Sequence, residues 1–195
     1  MISISERAVA EHGVYDEDRF IVVYPSLMRR VALAGGAFAA ALAADFVTKW
    51  LILNIVMVPP RTIEIAPFFN LTLGFNTGVS FGMFREVFLD RPLVLAGIKM
   101  LIVAGLLVWA MRTARPWETI SLSLIAGGAM GNVLDRIRQG AVTDFLDFHV
   151  GGWHWPAFNM ADTMITIGVV LLIAGSFWPP RSMDAVQKRP RRAGH

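Results

Sequence analysis

Cysteine is absent from the 195 residues. That excludes disulfides, thiol nucleophiles and thiolate metal sites. Charge is sparse: Asp, Glu, Lys and Arg make up 17% of the chain, against about 25% in soluble domains. Histidine occurs four times. His149 and His154 have no recognised zinc spacing and no His-Glu-x-x-His occurs, so no metal or other cofactor is expected. No repeat of fixed period stands out. The net charge of +3 comes without any recognition module, so nucleic acid is not expected as a partner.

What the chain has is long apolar runs. Crossing a bilayer takes roughly 20 mostly apolar residues. Four stretches qualify, at about 31–56, 92–111, 118–134 and 158–178. The third is the weakest, being rich in Ser and Gly. The first follows Arg29-Arg30 but is too long for the apolar region of a signal peptide, so it reads as a retained helix. The fold expected is therefore a mainly α membrane protein with four transmembrane helices. Segments 1–30, 112–117 and 179–195 hold 11 Lys and Arg, and the two on the other side, 57–91 and 135–157, hold five. The positive-inside rule then places both termini in the cytoplasm.

Three parts follow: a flexible N-terminal extension over 1–28, with 20–24 lying on the membrane surface, a membrane domain over 29–178, and a basic tail over 179–195. The tail reads as solvated, with membrane lipid heads as a second possibility.

With that topology, helices one and three run outward and helices two and four inward. Asp45 lies in the outer half of helix one, Asp135 at the outer end of helix three, Asp144 in the loop beyond it, and Asp162 in the first turns of helix four. All four acids converge on the outer boundary. Carboxylates at membrane depth are costly and point to function. Asp45 and Lys49 share a helix face and can pair. Lys99, in helix two, reads as structural, its stem snorkelling or its head facing the bundle. Gly127 and Gly131 form a small-xxx-small packing face.

Between the first two helices, Leu71, Leu73 and Phe75 alternate with polar or small residues, Asn76-Thr77-Gly78 signals a turn, and Val79 and Phe81 resume the alternation. A small outer β element near 61–84 is expected, resting on lipid or cradling an extended peptide. Trp153-His154-Trp155 fits an interfacial aromatic belt.

Two neighbouring carboxylates cannot both ionise easily; one then activates water while its partner donates a proton. Asp135 is followed by Arg136 and reads as an ion pair or cap. Asp144 and Asp162 have no adjacent cation and are the pair the residues favour, with Asp147 a weaker alternative. A proton- or ion-coupled transporter is the alternative class, but such sites lie near the midplane. The Gly-x-Gly-Asp motif of presenilin-type proteases is absent.

The chain resembles the lipoprotein signal peptidase (signal peptidase II) family. The matching blocks are Asp45-Phe-Val-Thr-Lys49, Phe75-Asn-Thr-Gly-Val-Ser-Phe81, Gly127-Gly-Ala-Met-Gly-Asn-Val-Leu-Asp-Arg136, Val142-Thr-Asp-Phe145 and Trp155-Pro-Ala-Phe-Asn-Met-Ala-Asp162. The resemblance implies four transmembrane helices, an outer, periplasmic-side β-cradle and a short outer helix. It implies an aspartic endopeptidase of the bacterial cytoplasmic (inner) membrane that cleaves prolipoproteins before the diacylglyceryl-modified Cys. It places the catalytic dyad at Asp144 and Asp162. Asp45, Lys49, Asn76, Gly78, Asn132, Asp135, Arg136 and Asn159 then form the polar surround and substrate site. Partners implied are lipid-modified prolipoproteins, membrane lipids and globomycin-type inhibitors, with the enzyme a monomer and its site at the outer face. The extension before Arg29 is longer than the family core needs.

Overall fold

A computed structural model describes residues 15–16, 19–20, 27–78 and 92–177. Two-residue strands β1 (Tyr15–Asp16) and β2 (Arg19–Phe20) pair antiparallel, where the sequence reading expected only a flexible extension. Residues 21–24, the resumed alternation at Val79 and Phe81, and the basic tail lie outside the described residues, as does any short outer helix.

Helix α1 (Leu27–Leu51) grows from an Ala- and Leu-rich run with little to stop it, and its last turns relax into a π-helical segment, Ile52–Val56. Helix α2 (Pro92–Arg112) and helix α3 (Pro116–Gln139) both open on proline, whose fixed φ suits a first turn and whose missing N–H is not needed there. The third apolar run appeared to end at 134, but α3 continues to Gln139. Hydropathy fails at the charges Asp135 and Arg136, whereas helical geometry fails only at Gly140. That glycine adopts φ 76° and its N–H caps the carbonyl of Arg136. Helix α4 (Met160–Ser176) begins with a reciprocal cap: the Asn159 side chain accepts from the Asp162 N–H, and the Asp162 carboxylate accepts from the Asn159 N–H.

Two of these helices are long and apolar enough to cross a membrane, 27–56 and 93–112, and α4 is a shorter apolar helix. Leu93, Leu101, Val170 and Ile173 are among the large apolar side chains turned outward. Helix α3 lies at the centre, packed on α1, α2 and α4. Its glycines permit this. A Cβ on Gly127 would stand 2.5 Å from the Phe38 carbonyl oxygen, one on Gly128 equally close to that of Ala161, and one on Gly131 would collide with the Asp45 carboxylate. The small-residue face expected at Gly127 and Gly131 is thus the α1–α3 contact.

Strands β3 (Ile63–Ala66), β4 (Phe69–Asn76), β5 (Val142–Val150) and β6 (Trp153–His154) form one antiparallel sheet in that order. Strand β4 is the alternating run read from the sequence. Strand β5 was not: its apolar residues break the two-residue period, and Asp144, expected in a loop, lies on the strand opposite Gly74. The sheet packs on the end of α1 through Phe145, Leu71, Ile52 and Met57. The described part of the α1–α2 connection, through residue 78, and the α3–α4 connection therefore meet at the same end of the bundle, where α3 ends and α4 begins.

Candidate active site

The site starts on α1. Asp45 is 2% exposed. One carboxylate oxygen accepts from Lys49 Nζ at 2.7 Å and the other from the Ala161 N–H at 3.0 Å. The second bond satisfies an otherwise orphaned amide in the first turn of α4, where an anion also complements the helix dipole. Lys49, one turn on, reaches Asp135 at 2.9 Å and Asn132 Oδ1 at 3.3 Å. Its three protons thus have three acceptors. Asp135 is ion-paired as expected, but to Lys49. Adjacent helical residues point apart, so Asp135 does not pair with Arg136. It also accepts from the Thr143 N–H at 3.1 Å, tying α3 to β5. Arg136, 2% exposed, donates to the carbonyls of Asn132 at 3.1 Å and Gly78 at 2.8 Å. Gly78 is held in turn by its own N–H on Asn76 Oδ1, 3.0 Å away, a side-chain-closed turn.

Asn132 and Asn159 stand between the two remaining acids. Asn132 Nδ2 donates to Asp162 Oδ1 at 3.0 Å, while its Oδ1 accepts from Lys49 and from Asn159 Nδ2 at 3.2 Å. Asn159 is wholly buried. Its Nδ2 also donates to Asp144 Oδ1 at 2.7 Å and to the Thr143 carbonyl at 3.2 Å, and its Oδ1 caps the Asp162 N–H. Asp144 and Asp162 are therefore coupled through two amides that also fix the start of α4.

Asp144 is 5% exposed. Burial, and then the nearby Asp162 charge, push its carboxyl up to about 6, while side-chain hydrogen bonds from Asn76 and Asn159 hold it back from rising further. Such a group is about half protonated at pH 6 and keeps its proton roughly a tenth of the time at pH 7. Asp162 sits in the first turn of α4 and accepts from two N–H donors, the Asn132 amide and the Asn159 backbone. A protonated acid beside an ionised one can donate and accept protons on one substrate.

All ten residues named from the sequence lie in this one network. Asp147 does not. It is paired with His154 Nδ1 at 2.9 Å on the β5–β6 hairpin, whose ring stacks on His149. The sequence reading missed the backbone groups of Thr143 and Ala161, because no side chain marks them.

A family model described as Signal peptidase (SPase) II matches residues 37–178. The chain is 38% identical over 162 residues to a lipoprotein signal peptidase of Methylobacterium sp. (strain 4-46), spanning 83% of this chain and 98% of that one. It is 42% identical over 140 residues to one from Francisella tularensis subsp. novicida (strain U112), spanning 70% and 86%. A solved structure described as a bacterial membrane enzyme superposes with a TM-score of 0.65 at 27% identity, over 84% of this chain and 96% of that one.

Proposed function

The chain belongs to the signal peptidase II family, a protease that removes signal peptides from prolipoproteins, and from that premise we propose that Asp144 and Asp162 are its catalytic dyad. The observation that carries this is the coupling of two acids in unlike surroundings: Asp144 buried on β5 with its carboxyl raised, Asp162 at the start of α4, both held by Asn159. Asp162, ionised, takes a proton from a water held between the two. That water attacks the scissile carbonyl, and Asp144 donates its proton to the developing oxyanion. The roles then reverse: Asp144 takes back the proton and Asp162 passes its own to the leaving amine, restoring both. Asn132, Asn159 and Asn76 hold the carboxylates in register. Asp45, Lys49, Asp135 and Arg136 hold the helices and the Asn76–Gly78 turn on which they sit.

This is a bacterial membrane protein. In the proposed arrangement α1 to α4 all cross the cytoplasmic membrane, both termini lie in the cytoplasm, and the sheet rests on the outer face. The outward-facing apolar side chains and the gathering of acids at one end of the helices support it. A prolipoprotein anchored by its diacylglyceryl group then reaches the site laterally. Its bond before the modified Cys is held at the interface, so lipid positioning supplies much of the selectivity by proximity. Globomycin-type cyclic peptides inhibit at this site, and the enzyme acts as a monomer.

The test is cleavage of a lipidated precursor by Asp144→Asn and Asp162→Asn, each assayed separately in membranes. Losing an essential acid or base lowers turnover by about 10²–10⁴. Near-wild-type cleavage by either folded variant rejects the dyad.

A further inference from the structure

Lys99 stands outside the bonded network. In α2 the buried residues Ala96, Val103 and Ala110 mark one seam, the face packed on α3. Lys99 comes three residues after Ala96 and four before Val103, so it shares that face. It is half-buried and sits seven residues, roughly 10 Å, from the start of α2 at Pro92. A lysine at that depth is expensive in hydrocarbon unless it meets opposite charge. The groups its charge acts on are Arg136, Asp162, Asp144 and Lys49. Among the described residues it makes no direct ion pair.

The charge count of the site gives that placement a purpose. Four carboxylates face it: Asp45 from α1, Asp135 from α3, Asp144 from β5 and Asp162 from α4. Two cations stand with them: Lys49, paired to Asp45 and Asp135, and Arg136, held on the Asn132 and Gly78 carbonyls. Arg138 is exposed, over the Phe46 ring, and adds nothing inside. When the dyad holds one proton, three carboxylates remain ionised against two cations. An excess charge in such poorly solvated space is costly.

We propose that Lys99 is a positioning residue of this site, its ammonium supplying from α2 the third positive charge that balances the singly protonated dyad. The proposal rests on the assignment of Asp144 and Asp162 as that dyad. Removing the charge raises the proton affinity of both carboxylates, so the dyad takes up its second proton at higher pH and gives up its last one later.

The test is the pH profile of kcat/KM for a lipidated precursor with the wild type, Lys99→Met and Lys99→Arg. The expected result moves both limbs of the Lys99→Met profile to higher pH by roughly 0.5–1 unit, with Lys99→Arg returning them to the wild-type position. A Lys99→Met profile that superimposes on the wild type overturns the proposal, even if kcat falls, as does a shift that arginine fails to restore. Lys99→Gln carries the same test if the methionine variant does not fold. A wrong dyad assignment shows itself separately, as cleavage by Asp144→Asn or Asp162→Asn.

Discussion

Asn159 does three jobs with one side chain. It caps α4, donates to Asp144 and meets Asn132. Such a residue is cheap to read in a sequence as a helix start, but its link to Asp144 crosses 15 positions of chain and is set only by packing. Asp144 itself carries the clearest consequence for stability. Its carboxyl is raised to about 6 in the folded protein, above the ordinary value near 4. Protonation is therefore more favourable in the folded chain than in the unfolded one. The stabilisation this gives is fully present below about pH 4 and is lost as pH rises through about 6. Asp144→Asn, which cannot ionise, should unfold later than the wild type at pH 8, by up to about 3 kcal/mol. The difference should shrink toward zero at pH 4. Thermal unfolding in detergent, followed by tryptophan fluorescence at both pH values, checks this. A variant that is inactive yet more stable at pH 8 is the expected signature of an acid kept for chemistry.

At the scale of elements, the α1–α3 contact decides where the charges meet. Gly131 has no room for a methyl group because the Asp45 carboxylate fills the space. Gly131→Ala should displace that carboxylate from Lys49 and Ala161, lowering stability by about 1–3 kcal/mol and precursor cleavage with it. Gly35, on α1, has nothing within 4 Å of its would-be Cβ. Gly35→Ala should leave cleavage intact and stabilise α1 by up to about 1 kcal/mol. Unfolding temperature and cleavage rate measured side by side separate the two. The small-residue face at Gly127 and Gly131 was legible because spacing alone implies it. Strand β5 was not, because its faces are buried against different neighbours and the two-residue period disappears. The end of α3 was misread for a related reason: hydropathy follows solvent, and Arg136 is charged yet 2% exposed.

At the scale of the whole molecule, the four described helices and the four-stranded sheet bring Asp45, Asp135, Asp144 and Asp162 to a single end. Helix α3 is not among those apolar enough to count as a span, because its packed face carries Thr119, Ser121 and Ser123, buried at 1%, 1% and 0% exposure. Those side chains face neighbours, not lipid. A site at that end, reached from the side, should depend on the substrate's own membrane anchor. A precursor lacking the lipid should be cut at least about tenfold more slowly than the lipidated form in the same bilayer, because the anchor supplies the local concentration. Equal rates would reject lateral delivery. The sequence by itself carried the apolar helices, the acids from which the Asp144–Asp162 dyad is proposed, and through its motifs the family. Those depend on local hydropathy, turn chemistry and residue identity, which the chain order carries. The tertiary structure alone decided that Lys49 and not Arg136 pairs with Asp135, and that Ala161 and Thr143 serve through their backbones. Each is a contact between distant segments, settled by how α1, α2 and α4 pack around α3.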